Sequence, residues 1–427
     1  MKKLLKEGKR LGLVAMAGAL VAALLLGSVV PAKAAEEKVI RIGIGGIITG
    51  FGGTTGSPIT FGEMDYLKYI NDHGGIDGVR IELIWRDTQG LIPKAILAHK
   101  FFQQAGVLVE SPMGSGPMET LAPRLQREGI VGYHGAAITP GAFTNPERWL
   151  FGTSPNYTSH FVGVIRWIKQ KWPMERPLRL GLMGYDWPIT WATIEDIRDY
   201  YPPELGIEFV GYEILPLLGA IDTSTEWLRL AGKEPDWVCV TAAGTTLTTL
   251  IKDQARLEIQ KKGVRICDLP SAVDEQFLKM MLPKQVEGVY TQEIIPLPQM
   301  EFPLMEEPSS GMKAFLQAAK KYRGWELSDI GCMYLDGWIA SAVMVEGIRL
   351  AMEKVGFANL TGSAVREGIV SIRNFDLGLG CPPLAVSNDR PWWLTHSRLV
   401  QIRNGAHQPV SEWIELEWVA PWTEVKE

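Results

Sequence analysis

The chain has 427 residues, is 46% hydrophobic and 21% charged, and has a mean hydropathy of +0.03. This composition excludes a disordered chain, a collagen-like repeat and a multispanning membrane protein, and the length fits two to three domains with cores of their own. A formal net charge of −5, with no basic run beyond the first ten residues, argues against a nucleic-acid binder.

The first segment is unlike the rest. Met1–Arg10 is rich in Lys and Arg, residues 11–30 carry no charge, and Ala32-Lys33-Ala34 has the small-residue form of a cleavage site. The pattern predicts a secretory signal over residues 1–34, cut after Ala34, or an uncleaved membrane anchor, because the apolar run is long for a signal. No Cys lies near the cut, which argues against a lipid anchor. The remainder reads as an acidic exported protein without a second apolar run of spanning length.

From residue 38 onward, short apolar runs alternate with amphipathic stretches. Val39–Ile44 reads as a strand, and Pro58 opens a helix that Gly74-Gly75 closes. A strand over Val79–Trp85, a helix from Pro93 to Gln104 and a short extended Val107–Val109 follow. Pro117–Glu128 reads as a helix kinked at Pro123, and Ile130–Tyr133 as a strand. The alternation resumes with strand Leu178–Met183, helix 189–200, strand Ile207–Ile214, helix 223–231, strand Trp237–Val240, helix 245–260 and strand Val264–Cys267. Repeated units of this kind build parallel sheets covered by helices, and there are more units than one compact sheet needs, so two lobes are expected. After the proline-rich stretch Pro296–Pro308, helices are expected near 310–322, 332–354 and 361–372, with strand-like alternation from Arg398.

Catalytic constellations are missing. Gly43-Ile44-Gly45-Gly46-Ile47-Ile48 has Ile48 where a dinucleotide fingerprint needs its third Gly, and no phosphate-binding loop of the G-x-x-x-x-G-K-[ST] type occurs. Ser115, in Met113-Gly114-Ser115-Gly116-Pro117, is not in a G-x-S-x-G elbow. The six histidines form no i,i+4 pair, and the cysteines (Cys239, Cys267, Cys332, Cys381) form no C-x-x-C, so neither a metal nor a cofactor is expected. Disulfides remain open for an exported chain, although Cys239, inside an apolar run, reads as a buried thiol. The sequence thus points to binding, not turnover.

Several segments together resemble the Leu/Ile/Val-binding protein family, extracytoplasmic solute-binding proteins that serve ABC importers. These are Ile40-Arg41-Ile42-Gly43-Ile44 with Thr49-Gly50-Phe51, then Ile70-Asn71-Asp72-His73-Gly74-Gly75-Ile76-Asp77-Gly78, then Ile81–Gly90 with Pro93 and Ala95, and Tyr334-Leu335-Asp336-Gly337 before a long apolar helix. The resemblance covers the mature chain and is most specific near its start. It implies a type I periplasmic binding fold: two Rossmann-like lobes joined by three crossings, near Thr153–Tyr157, Gln292–Leu297 and Pro382–Trp392. Lobe 1 would then hold 35–153 and 293–382, and lobe 2 would hold 154–292 and 383–427.

The resemblance also implies site residues. Ser115 and Gly116, ahead of Pro117, match the place where the family holds a ligand carboxylate on a helix N-terminus. The physics suits an anion there, and a plain helix cap is the other reading of Ser115. Ala136, Ala137 and Thr139 match the next loop, with Ile138 where a hydroxyl is common. Phe51 matches a position that lines the ligand's apolar part, or else packs in the core. In lobe 2, Tyr185 or Trp187 would close over the ligand, and the loops carrying Thr241 and Ser271 would supply the rest. Ser271 stands where an amino-acid binder has a carboxylate, with Asp274 and Glu275 beyond it and Asp186 as another ammonium partner or a plain surface acid. The reading that follows is a non-enzymatic solute-binding component of an ABC transporter. It would be exported to the periplasmic or extracellular side of the membrane. It would bind a small amino acid or related carboxylate or amide and deliver it to a membrane permease. The alternative is a ligand-sensing module that signals to a receptor or regulator.

Overall fold

The computed structural model describes residues 38–50, 52–135, 139, 142, 148–217, 219–304 and 307–417. Residues 1–37, Phe51, Ala136 and Ala137 lie outside them.

The chain begins with β1 (Val39–Gly46), α1 (Gly53–Asp72), β2 (Arg80–Asp87), α2 (Ile92–Ala105), β3 (Val109–Pro112), α3 (Ser115–Glu128), β4 (Val131–His134) and β5 (Leu150–Gly152). These strands form one sheet in the order β2-β1-β3-β4-β5, and β1, β3, β4 and β5 run parallel. In β1, Ile40, Ile42 and Ile44 are buried on one face. Gly43 opens the other, where a Cβ would stand 2.8 Å from the Phe102 ring of α2.

A second series follows: α4 (Tyr157–Gln170), β6 (Leu178–Tyr185), α5 (Pro188–Glu195), β7 (Ile207–Leu215), α6 (Ser224–Ala231), β8 (Trp237–Thr241), α7 (Gly244–Arg256), β9 (Arg265–Pro270), α8 (Glu275–Lys279) and β10 (Tyr290–Glu293). The chain then returns to the first lobe with α9 (Ser310–Arg323), α10 (Cys332–Val355) and α11 (Gly362–Val370), and ends in β11 (His396–Arg403), β12 (Ala406–Pro409) and β13 (Ile414–Glu415). The second sheet is ordered β12-β11-β10-β9-β8-β6-β7. Its β6 to β10 are parallel, and β11, β12 and β13 add an antiparallel edge. The architecture is therefore two α/β lobes, each with its own sheet and core.

Three segments join the lobes. The first leaves β5, the second leaves β10, and the third enters β11. The first and third run side by side: Trp393 N donates to Gly152 O at 3.3 Å and Leu394 N to Thr153 O at 2.7 Å. Ile294, Ile295 and Leu297 of the second pack into the first lobe's core.

Glycine sets how closely α1 and α10 cross. A Cβ on Gly62 would come within 2.1 Å of the Tyr334 carbonyl, and one on Gly337 within 1.9 Å of the Ile59 carbonyl. Only bare backbone fits at these two points. α10 is apolar on nearly every side through its first half because it is buried against α1 and α11. No helix among the described residues is long and apolar enough to cross a membrane.

Several boundaries differ from the sequence expectation: the strand expected at Val107–Val109 is Val109–Pro112, and the helix expected over 245–260 ends at Arg256. The first helix starts at Gly53, five residues before Pro58, and Pro58 sits within its second turn. The helix after β3 starts at Ser115, so Gly114 is its N-cap and Pro117 its third residue. The four cysteines are free thiols, with Cys239 buried. Cys239 and Cys267 face each other across β8 and β9 without being joined.

Candidate functional site

A cavity of about 130 Å³ lies between the lobes, lined from both sides. Its size is of the order of the ~150 Å³ cavity that takes a benzene ring. Most of the lining comes from the carboxyl ends of the parallel strands and the segments that follow them (β1, β3 and β4 in lobe 1, β6, β8 and β9 in lobe 2). The helix α10, the start of α4 and the second joining segment add Met333 and Asp336, Tyr157 and Ile294. Open α/β sheets place ligand sites at these carboxyl ends, where side chains are freed from the ladder.

The β3–α3 turn is built around glycine. Gly114 has φ +105°, a left-handed value that lets the chain turn straight from strand into helix. Ser115 is then the first helical residue, 8% exposed and lining the cavity. Gly116 has no Cβ to block the approach of lobe 2: a Cβ there would sit 2.7 Å from Trp187 Cζ2. The cap reading of Ser115 is therefore corrected. Gly114 caps α3, and the Ser115 hydroxyl is left for the cavity side.

Trp187, the N-cap of α5, and Tyr185 both line the cavity, and burial pushes the Tyr185 phenol up to about 12. Ser271 lines it as well, in a left-handed conformation at φ +58°. Its Oγ is buried without a hydrogen-bond partner among the described residues. Strained backbone and an orphaned hydroxyl are both unusual, and they coincide at a cavity wall.

The structure thus brings Ser115, Tyr185, Trp187 and Ser271 to one cavity, with Gly116 against Trp187. Three expected residues do not line it: Gly116, which faces Trp187, and Thr241 and Thr139. Thr241 Oγ1 is turned to Thr190 Oγ1 at 2.8 Å inside lobe 2, and Thr139 is fully buried away from the lining. Asp186 is occupied at the surface by Trp191 Nε1 at 2.7 Å. Asp274 caps α8 through Phe277 N at 2.8 Å, and Glu275 accepts from Gln299 N and Cys332 N.

Sequence reasoning missed the polar lining residues Thr55, His134, Tyr157 and Asp336. His134 ends β4; burial pushes its imidazole down to about 3, so it is neutral. Asp336 is 3% exposed, and Thr153 Oγ1 donates to its Oδ1 at 2.7 Å. Burial pushes its carboxyl up to about 7, against the Thr153 hydrogen bond. An acid inside the apolar run of α10 was the available signal. Most of the remaining lining is apolar, including Ile47, Ile59, Met113, Met118 and Leu269. Such a surface, with a few convergent polar groups, suits reversible capture of a small molecule.

A family model described as periplasmic binding protein matches residues 39–406. A search of curated proteins finds no match. Among solved structures, the chain is similar to an ABC transporter substrate-binding protein from Aeropyrum pernix (18% identity, 91% of this chain and 100% of that one, TM-score 0.77). It is also similar to a branched-chain amino-acid ABC transporter protein from Thermus thermophilus with bound valine (19%, 91% and 98%, TM-score 0.75). A third is an ABC transporter solute-binding protein from Rhodopseudomonas palustris HaA2 in complex with p-hydroxybenzoic acid (15%, 91% and 100%, TM-score 0.71). The fold and the family are those of solute-binding proteins, not enzymes.

Proposed function

Because this chain belongs to the periplasmic binding protein family, we propose that it is the exported solute-binding component of an ABC importer, closing two lobes on a small solute and presenting it to a membrane permease. The observation that carries this reading is the small, mostly apolar cavity lined by both lobes at the ends of their parallel strands. Residues 1–34 act as the export signal in this reading. The lobes comprise 35–153 with 293–382, and 154–292 with 383–427.

The solute is a small amino acid or a related carboxylate or amide. Ser115 and the first amides of α3 suit its acceptor end, since helix N-termini carry partial positive charge. Trp187, Tyr185 and the aliphatic lining suit an apolar body. The valine and p-hydroxybenzoic acid held by the two structural neighbours are of this general size and class.

A thermal-shift screen of amino acids, amides and aromatic acids tests the reading. A solute at about 100 times its Kd stabilises the folded state by about 2.7 kcal/mol, which raises the melting midpoint. An unmoved midpoint across the whole panel refutes the proposed ligand class.

A further inference from the structure

Asp336 is the only acid lining the cavity among the described residues, and no Lys or Arg lines it. The glycine crossing of α1 and α10 brings it there, since Gly337 is the next residue and seats against the Ile59 carbonyl. Thr153, from the first segment between the lobes, supplies one hydrogen bond, and no ion pair holds Asp336 among the described residues. A buried carboxylate without a cation is costly, and bringing one in from solution relieves that cost. The neutral His134 does not serve as that cation.

We propose that Asp336 is the specificity-determining residue of the cleft, receiving the hydrogen-bond donor of the solute and binding a protonated amine best. This rests on the solute-binding reading above and narrows it to amine-bearing carboxylates over plain carboxylates. Ser115 and the α3 amides take the acceptor end, and Asp336 the donor end. Asp274 and Glu275 in lobe 2 are occupied by backbone amides, so the donor end falls to lobe 1.

Asp336 itself adds to the rise of other titratable groups around it, while its own carboxyl is set by burial and Thr153. These groups are Glu63 of α1, Tyr157 of α4, Cys332 of α10 and Cys381 of the third joining segment. Burial raises all four, Glu63 to about 8, so near neutral pH they are mainly uncharged.

Calorimetric titration of wild type and Asp336→Asn with two matched pairs tests the assignment: L-leucine against 4-methylpentanoate, and L-phenylalanine against 3-phenylpropanoate. Wild type should bind the amine-bearing member of at least one pair about tenfold to a hundredfold more tightly, the range of one charge-assisted hydrogen bond. Asp336→Asn should erase that gap while holding or tightening the plain acid. If the variant fails to fold, wild type alone suffices. The preference should grow from about pH 5.5 to about pH 7.5 as Asp336 ionises. Equal binding within both pairs, a gap that survives in Asp336→Asn, or a preference flat with pH overturns the assignment alone. Binding of none of the four overturns the proposed ligand class and this assignment with it.

Discussion

The Ser115 hydroxyl carries little of the fold, because Gly114 caps α3 in its place. Ser115→Ala should therefore leave stability nearly unchanged, within about 0.5 kcal/mol, as for a substitution that breaks no cap or core contact. It should weaken carboxylate binding about tenfold to a hundredfold, the worth of one charge-assisted hydrogen bond. Calorimetric titration beside a urea melt separates the two effects; a lowered melt with unchanged affinity contradicts the cavity role. Ser115 was legible in the sequence because glycines flank it and a proline follows within the first turn. Its exact helix position was not, since a left-handed Gly114 starts the helix two residues before the proline. Asp336 was hidden for another reason. A lone acid in an apolar helix has no local partner, and only the crossing at Gly62 and Gly337 brings it to the cavity. Thr241 misled because its place at the carboxyl end of β8 was right and the direction of its hydroxyl was not.

Elements repeat this division between local and tertiary information. The βα alternation and the long apolar α10 follow from periodicity and turn residues, which act within a few positions. The short β5 and the helix α4 lay outside that reading. β5 has three residues, and α4 is apolar on a face that only lobe 2 completes, through Phe161 and Ile165. The tight crossing of α1 and α10 predicts that Gly337→Ala destabilises lobe 1 by about 1–3 kcal/mol, the usual cost of overpacking. A lowered urea midpoint with an unchanged m-value would show it; an unchanged midpoint would mean the helices part without cost. A second element contact is set by charge. His99 of α2, 1% exposed, donates from Nδ1 to Glu110 Oε2 of β3 at 2.9 Å, and its Nε2 lies 2.9 Å from Glu128 Oε2 of α3. Burial lowers the imidazole, yet the two carboxylates outweigh it and hold the imidazole above its ordinary value. A raised folded value means the stabilisation is complete below the unfolded value near 6.5 and is lost as pH rises through the folded one. His99→Gln should thus cost about 3 kcal/mol below pH 6, as for a broken buried pair, and progressively less above neutrality. Urea melts across that range check it, and a cost that grows with pH would contradict the charged-imidazole reading.

At the scale of the whole molecule, lobe contact depends on α8 of lobe 2 meeting the N-terminus of α10 in lobe 1. Glu275 accepts from Cys332 N at 3.3 Å and from Gln299 N at 3.1 Å, and the Ser328 carbonyl accepts from Gln276 Nε2 at 3.2 Å and from Lys279 Nζ. Hinge opening, if the lobes part as proposed, would break these contacts, since each joins one lobe to the other. In the arrangement observed, burial pushes the Glu275 carboxyl up to about 8, with the nearby Asp274 adding to the rise. Opening exposes it to water, where a carboxyl returns toward its ordinary value of about 4.3. The closed form then binds a proton that the open form releases between those two values, so closure is favoured at low pH and weakens as pH rises toward 8. Small-angle scattering on the solute-free protein should show a radius of gyration that grows between about pH 5.5 and pH 8.5. Glu275→Gln carries no titrating proton while still accepting an amide, so its radius should stay near the low-pH value throughout. A wild-type radius flat with pH would mean that Glu275 stays buried when the lobes part, and that the hinge moves about some other contact.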